Sequence, residues 1–179
     1  MSAPRTTATL ILALVLGGCD RTATETGPTG ASMGGPLYTV SSGSQSTLLG
    51  RATFGDPSDQ TFKVKRISGA WHVEVKATPN LDMAVQRIVF QPGGQSGWHR
   101  HPGPVFIQVV TGTMTFYESD DPTCAPVVRT AGQGYLDAGE HAHIARNESG
   151  APAENIVVYL APQAAALRID APDPGNCPF

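Results

Sequence analysis

The chain has 179 residues, of which 40% are hydrophobic, and a formal net charge of -3 from 12 Lys+Arg against 15 Asp+Glu. That balance fits one globular domain with additional segments. There is no basic run, so the electrostatic footprint that phosphate backbones require is missing, and nucleic acid is excluded as a partner. The 20 Gly and 15 Pro fall between short runs rich in Val, Ile, Thr and Phe, which predicts many strands joined by tight turns.

The first element is a processing signal. Arg5 precedes the apolar run Leu10 to Leu16, and Gly17-Gly18-Cys19 follows, the order of a secretory signal peptide over residues 1–18. The run is too short for a membrane span, which needs about 20 apolar residues. Leu16-Gly17-Gly18-Cys19 also resembles the lipobox of bacterial lipoproteins. That resemblance implies cleavage before Cys19, lipid on its sulfur, and an exported domain anchored to a bacterial membrane on its extracytoplasmic face. Asp20 after the cysteine implies inner-membrane retention in a two-membrane cell. The alternative is an ordinary secretory signal with an incidental cysteine.

Residues 19–36 continue as a flexible tether, since "DRTATETGPTGASMGGP" has almost no large apolar residue to bury. The three cysteines of the chain leave an odd thiol unless Cys19 carries lipid. With Cys19 lipidated, Cys124 and Cys177 remain as an even pair in a compartment where disulfides persist, and a Cys124–Cys177 bridge is expected to pin the tail "APDPGNCPF". The alternative is two free, buried thiols.

The main domain spans residues 37–179. Strand-like runs follow one another as "TFKVKRI", "WHVEVKA", "MAVQRIVF", "PVFIQVV", "TMTFY", "APVVRT", "HAHIAR", "NIVVYL" and "ALRID", separated by turn signals such as "PGG", "TG", "SDDP" and "NESGAP". No sustained helical period occurs. The expected fold class is all-β, a closed barrel or a two-sheet jelly roll, because closure spares short strands their exposed edges.

Two histidine pairs carry the chemistry. His99 and His101 open one strand-like run, and His141 and His143 lie in another about forty residues later. Residues i and i+2 of a strand share a face with Cα atoms about 6.6 Å apart, so their imidazoles can converge on one ion. By the same parity His141 shares the face of His143, as a fourth ligand, an outer contact or the default catalytic acid or base. Glu140 and Gln108 fall on the opposite faces, and Trp98 packs or lies at the barrel rim. His72 stands alone, Asn147 is expected to fix a turn, and no nucleophile elbow surrounds any serine.

"GGQSGWHRHPGPVFIQVVTG" resembles the first cupin motif, G-x5-H-x-H-x3-E-x6-G, with Gly93, His99, His101 and Gly112 in place. "AGEHAHIARN" resembles the second motif through His143 and Asn147, although Asp137 stands where proline is usual and one extra residue separates Gly139 from His143. The resemblance covers roughly Asp82 to Leu160. It implies a double-stranded β-helix barrel holding a divalent metal (iron, zinc, manganese, nickel or copper) through His99, His101 and His143, and pairing of two copies as a homodimer. The motif glutamate is absent: Val105 occupies its position. Three imidazoles with an open position still make a catalytic metal set. Two functions follow as expectations, a metal-dependent oxygenase or isomerase acting on a small molecule, or a non-catalytic module that binds a small molecule or the metal itself.

Overall fold

The structure is a computed structural model that describes residues 38–55, 61–65, 72–76 and 80–179. The signal peptide, Cys19 and the tether lie outside the described residues. His72 falls on a strand described by its backbone alone. Among the described residues no helix is long and apolar enough to cross a membrane.

The elements are strands in antiparallel pairs: β1 (Ser42–Phe54), β2 (Thr61–Lys65), β3 (His72–Lys76), β4 (Leu81–Gln95), β5 (His99–Arg100), β6 (Val105–Thr111), β7 (Thr113–Glu118), β8 (Val127–Thr130), β9 (Gly134–Asp137), β10 (His143–Arg146), β11 (Ala153–Pro162) and β12 (Ile169–Asp170). One layer runs β1-β4-β11-β6-β9 and the other β12-β5-β10-β7-β8. They join where Arg146 of β10 pairs Gln95 at the end of β4. This is the all-β, two-layered jelly roll expected from the strand pattern, in the double-stranded β-helix form that the motif resemblance implies; β2 and β3 form a separate hairpin.

The core follows the period-2 alternation. In β6, Val105, Ile107 and Val109 are buried while Phe106, Gln108 and Val110 face out. In β11, Ala153, Asn155, Val157, Tyr159 and Ala161 face in. These pack with Phe90, Met114, Phe116 and Tyr135 into the main cluster, where the Phe116 and Tyr135 rings stack at 4.1 Å. Gly112 joins β6 to β7 with φ +76°, and a Cβ there would lie 2.7 Å from the Pro152 carbonyl oxygen. Only glycine fits that turn.

Two strands escaped the sequence reading. β1 is 13 residues long, yet "SGSQSTLLGRATF" lacks alternation and is exposed along almost its whole length. Its order comes from pairing with β4 from Ser42↔Gln95 to Phe54↔Leu81. β9 is four residues, too short for a period to show.

β7 is buried on both faces, because the chain's tail covers the outside of its layer. Trp98, Tyr117 and Ile144 form a second cluster there, packed against Cys124 and Cys177. The Cys124–Cys177 disulfide is present, with Cα atoms 5.3 Å apart across a separation of 53 residues. Asn176 Nδ2 donates to the carbonyls of Glu118 (2.9 Å) and Asp121 (2.6 Å). The Phe179 ring lies edge-on to Tyr117 at 4.9 Å and under the Arg146 guanidinium at 3.8 Å. Trp98 is therefore a core residue of the outer cluster rather than a rim residue.

Candidate metal centre

The site is assembled by strand pairing. His143 at the start of β10 is the direct partner of His99 on β5, and Asp170 of β12 pairs His99 from the other side. Directly opposed antiparallel residues share a face with Cβ atoms about 5 Å apart. His101 follows immediately after β5 and turns into the same interior. The ring centroids lie 4.8 Å (His99–His101), 4.5 Å (His99–His143) and 5.2 Å (His101–His143) apart, and all three side chains are buried. Each offers one ligand nitrogen, and the three nitrogens lie within 4.8 Å of one another.

The tautomers follow from the neighbours. His99 Nδ1 donates to the Gly97 carbonyl at 2.8 Å and His101 Nδ1 to the Leu167 carbonyl at 2.6 Å. A carbonyl can only accept, so in both rings the proton sits on Nδ1 and Nε2 keeps its lone pair. Burial, then the charge of His143, pushes His99 down to about 2 and His101 down to about 4. Both are neutral imidazoles at neutral pH, the form that binds metals.

The wall beside His101 and His143 carries a carboxylate that the sequence reading passed over. Asp137 is the Cα partner of Val105 across the β6–β9 pair, and both face inward. Its Oδ1 accepts the Gly139 amide at 2.7 Å. Its Oδ2 lies 3.0 Å from His143 Nδ1 and 3.7 Å from His101 Nε2, within hydrogen-bond distance of His143 but not aligned as a well-formed bond. Burial opposes ionisation of Asp137, but His143 and the Gly139 amide outweigh it and hold the carboxyl below its usual range. A second carboxylate, Glu118, is the β7 partner of His143 and is pushed up by burial.

His141 is a correction. Strand β10 begins at His143 and the chain bends through residues 139–141, so strand parity does not extend back to His141. Its side chain is 57% exposed and its Nε2 faces Asp120 Oδ2 at 3.5 Å on the surface. It is neither a ligand nor positioned for acid–base work in the barrel. Gln108 is exposed, as its parity in β6 required, and Glu140 is exposed in the bend before β10. Asn147 is fully buried, its Nδ2 donating to the Phe90 (3.0 Å) and Ala151 (2.8 Å) carbonyls while its Oδ1 accepts from the Ser149 hydroxyl at 2.7 Å, so it ties β4 to the turn before β11.

A cavity of about 210 Å³ reaches the histidines between β1, β4 and the C-terminal segment, lined by Ser44, Ser46, Gln86, Tyr159 and Arg168 beside His99 and His101. A smaller void of about 30 Å³ continues inward to His143, floored by Phe90, Phe116 and Val157. Tyr159 donates its hydroxyl to Gln86 at 3.0 Å, and burial pushes its phenol up to about 12. The donor set fits a divalent ion: two imidazoles with free Nε2 atoms and a third buried imidazole close to both. Bonds of about 2.1 Å place tetrahedral ligand atoms about 3.4 Å apart, against the 4.8 Å within which the three nitrogens lie here.

No curated protein is similar enough to the chain to count as a relative. Among solved structures the chain is similar to the polyketide cyclase RemF from Streptomyces resistomycificus, with 14% identity, TM-score 0.47, and 75% of this chain and 77% of that one covered. It is also similar to a conserved protein with a double-stranded β-helix domain from Klebsiella pneumoniae (21% identity, TM-score 0.43, 50% and 74% covered). A third is the Cupin_2 domain of an XRE family transcriptional regulator from Enterobacter cloacae (15% identity, TM-score 0.42, 67% and 97% covered). The family model described as Cupin domain matches residues 86–159, the segment that carries all three buried histidines and Asp137.

Proposed function

We propose that this domain holds one divalent metal ion through His99, His101 and His143 and presents it to a small, oxygen-bearing molecule entering from the cavity beside β1 and β4. The observation that carries the reading is the convergence of three buried histidines, two of them fixed by carbonyls in the tautomer that turns Nε2 inward. Polar side chains are rarely buried at such density without a ligand to satisfy them. The ion supplies Lewis acidity toward an oxygen of the bound molecule.

The remaining work falls to the chain's own residues. The Gly97 and Leu167 carbonyls hold the two rings at fixed orientation, as outer partners of metal-bound histidines do. Gln86, Tyr159 and the serines of β1 offer hydrogen bonds along the cavity, and Arg168 places a positive charge on its wall. Phe90, Phe116 and Val157 line the inner end together with Ser96 and Asn155. At about 210 Å³ the cavity is smaller than the roughly 300–1,000 Å³ typical of drug-sized ligands, which supports a small substrate with several oxygens.

The test is the metal content of the full chain, purified without chelators, beside a His99→Ala/His101→Ala variant. About one equivalent in the native protein and none in the variant supports the reading, and the metal's identity chooses between oxygenase and isomerase assays. No metal in either, even after loading, overturns it in favour of a module that binds a small molecule alone.

The same proposal places the domain outside the cytoplasm on a lipid anchor at Cys19. The Cys124–Cys177 disulfide supports an oxidising compartment. Mass spectrometry of the membrane fraction tests it: an acylated N-terminal Cys19 supports the anchor, and an unmodified chain in the soluble fraction refutes it. A homodimer is tested by sedimentation, where a species at twice 18.7 kDa supports pairing.

A further inference from the structure

We propose that Asp137 is a fourth ligand of this centre, its Oδ2 joining the three histidines and replacing the carboxylate that Val105 cannot supply. The inference rests on the metal-binding reading above and goes beyond it by assigning a ligand from a different strand.

Three observations carry it. Oδ2 lies 3.0 Å from His143 Nδ1 and 3.7 Å from His101 Nε2, values that bracket the separation of about 3.4 Å between atoms sharing one tetrahedral ion. The Nε2 of His101 is the nitrogen left free by its Leu167 bond, so Oδ2 faces the lone pair of the ring and not its proton. Oδ2 and His143 Nδ1 are both buried and both lack a hydrogen bond despite their proximity. In a carboxylate that merely oriented His143, the ring N–H would aim at the oxygen and satisfy both atoms. A carboxylate oxygen and a ring nitrogen this close in a buried wall, without a well-aligned hydrogen bond between them, are an arrangement a cation resolves.

The register explains how the carboxylate arrives there. Val105 and Asp137 are direct partners across β6 and β9, so their side chains project to the same inner face within reach of the same volume. Asp137 is shorter than a glutamate, but its carboxylate is held in place by the hydrogen bond that the Gly139 amide donates to Oδ1. Gly139 has φ +87°, and a Cβ there would lie 2.6 Å from the Gly103 carbonyl oxygen, so the turn that supplies this amide requires glycine.

The experiment uses the full chain loaded with Co²⁺, whose visible absorption reports the ligand set, with binding measured by competition against a chromophoric chelator. The variants are Asp137→Ala, the isosteric Asp137→Asn, and Asp137→Ala combined with Val105→Glu. The expected result is about one Co²⁺ per native chain, a more than 100-fold loss of affinity with an altered spectrum in both single variants, and recovery of at least 10-fold in the double variant. Removing an outer partner costs about 10–100-fold, so a loss in that range with an unchanged spectrum assigns Asp137 to orienting His143 and overturns the ligand assignment. Affinity within twofold of native in Asp137→Asn also overturns it, leaving the three-histidine reading intact. No Co²⁺ in the native chain fails the underlying reading and this inference together. Asp137→Asn guards against misfolding of the alanine variant, because it preserves shape and the Gly139 bond.

Discussion

Breaking the Cys124–Cys177 bridge tests how the tail supports the site. The bridge spans 53 residues, and loop-closure entropy for that length comes to about 14 cal/mol/K, or about 4 kcal/mol at 25 °C. At roughly 2–4 °C per kcal/mol for a domain of this size, reduction should lower the melting temperature by about 8–16 °C. The closed segment contains both Leu167, whose carbonyl holds His101, and Asp170, which pairs His99. Opening the loop should therefore weaken metal binding as well as stability. The assay is thermal unfolding followed by near-ultraviolet circular dichroism on oxidised protein, on protein treated with a phosphine reductant, and on Cys124→Ala/Cys177→Ala. Tyr117 and Trp98 beneath the tail report its release directly. A reduced protein melting within about 2 °C of the oxidised one, with quantitative thiol labelling proving reduction, would refute the reasoning and mean that the tail is held by its packing and by Asn176 alone.

Asn147→Ala removes the donor to the buried Phe90 carbonyl and to the more open Ala151 carbonyl and should cost about 1–3 kcal/mol, read as a lower urea midpoint; a cost under about 0.5 kcal/mol would show that the turn holds without it. Asp82 accepts hydrogen bonds from Thr53, the Ala164 amide and Arg51, which together hold its carboxyl below the ordinary value of 3.8. A depressed folded value contributes stability that is present above pH 3.8 and lost as the pH falls through the folded value. The urea midpoint of the native protein should fall as pH drops below about 4, with a shallower fall in Asp82→Asn; identical pH profiles would remove Asp82 as a source of acid sensitivity. His141→Ala should leave metal affinity within twofold of native, because its side chain lies at the surface against Asp120; a larger loss measured by chelator competition would return it to the site.

The candidate site was legible only in part, for reasons that differ from residue to residue. The parity argument for Gln108 holds because β6 is a regular strand of seven residues, and parity is reliable inside such a strand. It fails for His141 because the strand starts two residues later, and nothing in "DAGEHAH" marks where extended pairing begins. Asp137 was noticed as a departure from a motif and not as a ligand, since its partner Val105 is 32 positions earlier in sequence and the two meet only through β6–β9 pairing. β1 was missed because its serines, threonines and glycines carry no alternation; backbone hydrogen bonds with β4 order it.

By itself the sequence determined the properties that depend on local chemistry, an all-β class from the period of its apolar runs and an even cysteine pair, while the choice of His99, His101 and His143 among its histidines came with the motif resemblance. Tertiary structure alone decided the contacts between distant segments: which tautomers the Gly97 and Leu167 carbonyls impose, that Trp98 packs outward beneath the tail, that His141 stays at the surface, and that a carboxylate from β9 reaches the histidines of β5 and β10. The physical reason is that strand propensity and periodicity are written over a few neighbouring residues, whereas the partner of a strand, and so the company of every side chain on its inner face, is chosen by the pairing of the whole sheet.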